Sequence, residues 1–164
     1  GNLLKDLDPN SKYLWEYDQE KCKNLKLSHW SYFEAWDSYK NYLIAKEYMG
    51  LEEEENQNTG TYTNFSQNDT SLYDLHTFFM YIKFGFGRCT QDVGIDIRRG
   101  AMTREQGIQL VKMFDNYFPE EFLEEYLDYY EMSKNEFIEV LDKHTNKDLF
   151  ERDELRWTPK FNIT

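Results

Sequence analysis

Cysteine is scarce. Cys22 and Cys89 stand far apart and outside any CxxC or Cys/His spacing, which argues against a disulfide framework or a zinc site and suits a reducing compartment. The three histidines, His29, His76 and His144, are too widely separated to read as a ligand set, so no metal is expected of this chain. No apolar run approaches the ~20 residues that span a bilayer. The opening GNLLKDLDPN also lacks the basic-then-apolar order of a signal peptide, so a cytoplasmic chain with no membrane partner is expected. Basic side chains are in deficit, 19 against 31 acidic ones, and the net charge of -12 repels phosphate backbones at long range, so no nucleic-acid partner is expected. Also missing are GxxxxGK[ST], GxSxG, HExxH and the SGGxDS-type glycine loop of the PP-loop ATP pyrophosphatases, so the chain carries no obvious phosphate-cleaving machinery of its own.

Rings are abundant: 13 Tyr, 12 Phe and 4 Trp must supply much of any buried area. At 164 residues the chain fits one domain and can withdraw roughly 70% of its unfolded surface from water. The opening through Leu27 is a lead-in of no clear period, and SHWSYFEAW reads as strand or loop. Asp37 is placed to cap a helix through Met49, with Gly50 just past its end. The segment LEEEENQNTGTYTNFSQNDT has the composition of an exposed loop over 51–70. Thr70 or Asp69 then opens a buried helix through Leu72, Leu75, Phe78, Phe79 and Ile82, which ends at the glycines of KFGFGR. Thr90 suits the cap of a short helix bearing Val93 and Ile97 and ended by Gly100. Thr103 with Gln106, and Ser133 with Glu136, have capping-box spacing, and Pro119 suits the first position of a helix between them. The tail from Lys147 is irregular. The expected fold is mainly α, a compact single helical domain of five to seven short helices with little or no strand, over 28–157, preceded by a lead-in at 1–27 and followed by a tail at 158–164.

The stretch richest in chemistry is KFGFGRCTQDVGIDIRRGAMTRE, Lys83 to Glu105. Gly85 and Gly87 permit positive φ and close backbone approach, so their amides with Lys83 and Arg88 can cradle a phosphate. On composition alone the same residues better describe a helix end closed by glycine, with Arg88 paired to Asp92 or Asp96. Arg98 and Arg99 fall in a last helical turn, where the helix dipole favours cations by ~0.3–1 kcal/mol and alone accounts for the pair.

YIKFGFGR, then DIRRG, then TREQGIQLVKMFD resembles the C-terminal signature of the N-acetyl sugar amidotransferases. The likeness extends through Trp36-Asp37-x-Tyr39, TGTYTNFS and FPEEFLEEYLDYYEMSKNEFIEVLDK, roughly from Ser28 to Trp157. It implies an enzyme of lipopolysaccharide and related surface-glycan biosynthesis. In such an enzyme an N-terminal PP-loop domain uses ATP and Mg2+ to activate the amide of a nucleotide-linked acetamido sugar, and ammonia from a glutaminase subunit yields an acetamidino sugar. On that resemblance Lys83, Gly85, Gly87, Arg88, Arg98 and Arg104 are expected to contact a phosphate or sugar nucleotide, and Asp92 and Asp96 to orient the arginines. The chain alone would then lack the ATP-binding half, bind no cofactor and be inactive by itself, its catalytic residues being unknown. Two segments depart from the family pattern. NKDLFERDELRW replaces an aromatic-rich end, and SQNDTSLYD leaves only Asp69 and Asp74 as counterparts of an acidic run. The rival reading is a non-catalytic module for self-association as a homodimer or for docking the glutaminase.

Overall fold

A computed structural model describes residues 19–67, 69–153 and 156–164. The expectations for residues 1–18, including the absence of a leader, lie outside the described residues. The chain divides into two compact units, residues 1–36 and 37–164. In the first, helix α1 spans Gln19–Cys22, and SHWSYFEAW, read as strand or loop, forms a 3-10 turn at Trp30–Tyr32.

The second unit carries α2 (Ser38–Met49), α3 (Ser71–Phe84), α4 (Arg88–Arg98), α5 (Arg104–Phe114), a 3-10 turn (Glu120–Phe122), α6 (Leu123–Tyr129), α7 (Lys134–His144), and an antiparallel hairpin of β1 (Phe150–Asp153) and β2 (Arg156–Pro159). Local chemistry sets most of these limits. The Asp37 side chain accepts from the Lys40 amide at the start of α2, and Gly50 closes the helix in the left-handed region at φ 69°. Thr70 caps α3, and the reciprocal boxes Thr103/Gln106 and Ser133/Glu136 both form.

Three expectations are corrected. Thr90 is not the cap of α4; that helix begins two residues earlier, after an extended Gly87, because its first turn finds a partner outside the local sequence. Pro119 opens the 3-10 turn, and α6 starts at Leu123. Of the segment 51–70, the two ends are exposed but the middle is not: residues 58–66 are wholly or partly covered, and Thr61 is at 0% exposure. The tail is also more regular than expected. Phe150 opposes Pro159 and Arg152 opposes Trp157 across the hairpin, which turns one large ring per strand inward. The backbone of Asn146 donates to the Ile82 carbonyl at 2.9 Å and so ties the tail to α3.

The larger core cluster joins Leu75, Phe78, Tyr81 and Ile82 of α3 to Leu123 and Tyr126 of α6, Phe137 and Leu141 of α7, and the hairpin rings Phe150 and Trp157. Edge-to-face contacts such as Phe78 on Trp157 at 5.3 Å pack rings where aliphatic residues are few. A smaller cluster holds Cys89 and Val93 of α4 against Val111 of α5. These two helices approach so closely that a β-carbon on Gly107 would lie 2.4 Å from Val93 Cγ1 and 3.1 Å from Ile97 Cδ1.

Gly-to-Ala inside an exposed helix gains up to ~1 kcal/mol. At Gly107 the sign is expected to reverse, with a loss of ~1–3 kcal/mol from overpacking. Urea denaturation of Gly107→Ala checks this, and a stabilised variant would contradict the close packing of α4 on α5.

Candidate functional site

The corner between α3 and α4 was expected to cradle phosphate, and its amides are already engaged. The Gly85 N–H closes α3 onto the Tyr81 carbonyl at 2.8 Å, in the left-handed conformation at φ 83°. The Gly87 N–H donates to Asp115 Oδ2 at 2.9 Å, the Thr90 N–H to Asp115 Oδ1 at 3.0 Å, and the Thr90 hydroxyl to the same carboxylate. The amide-rich start of a helix attracts an anion. Here Asp115, 4% exposed at the end of α5, is that anion. Gly87 is needed for this approach, since a β-carbon there would stand 2.9 Å from Asp115 Oδ1. In this structure, then, the Gly87 amide is taken by Asp115 and the Gly85 amide by Tyr81, so neither points freely at the phosphate expected of it.

Arg88 is likewise engaged. It is 3% exposed and points inward, Nη1 donating to Asp74 Oδ1 at 3.1 Å and to the Thr59 carbonyl at 3.4 Å, Nη2 to the Ser66 carbonyl, and the guanidinium lying 5.0 Å from the Tyr73 ring centroid. Its partner is Asp74, not Asp92 or Asp96. Burial drives the Asp74 carboxyl up to about 6, outweighing the lowering effects of Arg88 and Thr59.

The remaining cations do not gather at one place. Lys83 is exposed, its ammonium 5.4 Å from the Phe84 ring, in a groove with Leu72, Phe79 and His144. Arg98 is exposed and lies over Gly94, and Arg104 donates to the Thr164 carbonyl at 2.6 Å. Among the described residues no group of three or more His, Cys, Asp or Glu is arranged to hold a metal ion.

The two acids on α4 do come together, one turn apart. Asp92 accepts from the hydroxyls of Thr61 at 2.6 Å and Thr63 at 3.2 Å, and burial raises its carboxyl. Asp96 accepts from Tyr62 Oη and from Arg99 Nε, each at 2.7 Å. Asp96 thus does orient an arginine, but it is Arg99. That guanidinium also reaches Asp37 at 3.8 Å and the Tyr39 ring at 5.5 Å, which joins α4 to the start of α2.

Between α2, residues 62–65 and α4 these groups line a cleft of about 390 Å³, with Tyr42 stacked on Phe65 at 4.6 Å. Ring faces offer flat apolar surface, while carboxylates and a guanidinium offer hydrogen-bonding partners of both kinds. Burial and Asp96 push the Tyr62 phenol well above its usual range, so it stays a neutral donor. The set suits a hydroxylated ring: C–H faces against Tyr39 or Tyr42, hydroxyls toward Asp96 and Arg99. Tyr42, Tyr62, Phe65 and Arg99 were not expected in this role. For Tyr62 and Phe65 the one signal was the density of Thr, Tyr and Phe in TGTYTNFS, within a stretch otherwise composed like a loop.

The family model described as LPS biosynthesis protein WbpG-like, C-terminal domain, matches residues 59–162. No curated protein matches the chain.

Two outcomes follow from the buried network. Arg88→Ala is expected to lose ~3–5 kcal/mol, because it strands the Asp74 carboxylate and the Thr59 and Ser66 carbonyls; urea titration reads this, and a variant as stable as the parent would refute the internal role. The folded Asp74 carboxyl, at about 6, lies above its ordinary value of 3.8. Its stabilising contribution is therefore complete below about pH 4 and is lost as the pH rises through about 6. Asp74→Asn keeps an oxygen for Arg88 without the charge, so it should gain on the parent by on the order of 1–3 kcal/mol between pH 4 and 7, measured by unfolding at both ends.

Proposed function

Because the chain belongs to the family of LPS biosynthesis protein WbpG-like C-terminal domains, we propose that it is the helical C-terminal part of an ATP-dependent N-acetyl sugar amidotransferase. In this reading the parent enzyme converts the acetamido group of a nucleotide-linked sugar to an acetamidino group, in the cytoplasm. A PP-loop domain N-terminal to the chain would bind ATP and Mg2+, which supply the leaving group, and a glutaminase would supply ammonia. The observation that carries the proposal is the match from 59 to 162, which takes in α3 to α7, the hairpin, and the YIKFGFGR, DIRRG and TREQGIQLVKMFD signature. The part we assign to this chain is recognition of the sugar in the Tyr39–Tyr42–Asp96–Arg99 cleft, not the holding of phosphate at the α3–α4 corner.

A second reading, a docking or self-association module, is favoured by a different observation. Helix α2 exposes Leu43 and Ile44 at 47% each, Tyr48 at 76% and Met49 at 84%.

The test uses the full-length enzyme with a nucleotide-linked N-acetyl sugar and ammonium in place of glutaminase. Tyr42→Ala is expected to raise KM for the sugar about tenfold, since a ring contact contributes ~0.5–1.5 kcal/mol beyond its area, while ATP cleavage and assembly persist. Unchanged KM with loss of assembly would replace this reading by the docking one.

A further inference from the structure

Gly85, Gly87 and Arg88 of the KFGFGR stretch have internal partners, whereas Lys83 and Phe84 are exposed. Both line a groove of about 450 Å³ along α3, which shares no residue with the cleft beside α2. Leu72, Leu75, Phe79 and Met80 supply its apolar wall, and Tyr130 and His144 join from the C-terminal ends of α6 and α7. On α3 the lining positions 72, 75, 76, 79, 80 and 83 recur at three- and four-residue spacing. They therefore share one face for three turns, about 16 Å at 1.5 Å per residue. Phe84, 58% exposed and stacked on Phe86 with ring centroids 6.0 Å apart, extends the apolar surface at one end. A strip of that length and period matches the i, i+3, i+4, i+7 anchors of a helix laid along it; a small molecule is ordinarily enclosed.

The charge of the groove is the reverse of the chain's. Lys83, His76 and His144 line it and no Asp or Glu does, in a chain with 31 acids and a net charge of -12. Lys83 enters no ion pair among the described residues, and its ammonium lies 5.4 Å from the Phe84 ring centroid. His144 Nδ1 is held by the Val140 carbonyl at 2.8 Å, and its ring stands edge-on to Phe79 at 5.8 Å. A helix with acids flanking its apolar stripe would meet cations here as its rings and aliphatic side chains cover the strip, and a basic helix would meet none of the acids it needs.

We infer that this groove docks an acidic amphipathic helix of a partner protein. The inference concerns a face apart from the cleft beside α2 and stands whether or not the amidotransferase reading does.

The experiment pans the full chain against a displayed library of helical peptides with Leu or Phe at i, i+3, i+4 and i+7 and Glu, Lys, Ala or Ser elsewhere. Long-range attraction to a chain of net charge -12 would enrich lysine, so the glutamate enrichment expected here reports the groove itself. The selected peptide, followed by fluorescence anisotropy, should bind Lys83→Glu and Phe84→Ser each about tenfold more weakly, both substitutions lying at exposed positions outside the core. Its affinity for the parent chain should also fall as salt rises. Enrichment of lysine, no enrichment, or unaltered binding in both variants would overturn the assignment. So would sedimentation of the parent as a dimer that Phe84→Ser dissolves, which gives the groove to a second copy, or saturable binding of laurate with no peptide selected, which gives it to a lipid tail.

Discussion

The charge of Arg88 is held out of water, so the Asp74 carboxylate, the Thr59 and Ser66 carbonyls and the Tyr73 ring must all be in place around it at once. These contacts join α3, residues 59–66 and α4. Residues 58–66 have no regular secondary structure, yet they are fixed because two of their carbonyls face the guanidinium and because Thr61 and Thr63 donate to Asp92 one turn further along α4. That anchoring presents Tyr62 and Phe65 to the cleft and allows a segment composed like a solvated loop to become one of its walls.

Much of the helical frame was legible because it is written locally. Asp37, Thr70, Thr103 and Ser133 each satisfy amides within three residues, and Gly50 and Gly85 close helices through their own backbone freedom. The features that escaped depend on residues distant in sequence. Gly87 and Thr90 owe their roles to Asp115, some 25 residues on, and no spacing rule near Thr90 announces a cap supplied from the end of another helix. The hairpin was hidden because each strand buries only one large residue, Phe150 or Trp157, too few to give a visible alternation. Asp92 and Asp96 stand out in the sequence as acids beside arginines. Their partners do not: a dense run of arginines and glycines suggests anion binding equally well whether the anion is a substrate or the protein's own carboxylate.

At Gly87 and Thr90 the anion in place is Asp115. The signature from Lys83 to Glu105 acts largely as scaffold: Gly87 admits Asp115, Arg88 fastens residues 59–66, and Arg99 links α4 to α2 through Asp96 and Asp37. Lys83 and Arg98 of the same stretch stay exposed, while the cleft beside α2 is lined by rings, carboxylates and one guanidinium. Among the described residues no helix is long and apolar enough to cross a membrane.

The missing side chain at Gly107 has a mechanical meaning. With Val93 and Ile97 seated directly against its backbone, α4 has no room to slide or roll over α5. The two helices make one stiff plate, with cleft acids at 92 and 96 on one and Asp115 on the other. Any shift of the acids at 92 and 96 must therefore carry α5 along with α4 rather than part the two helices.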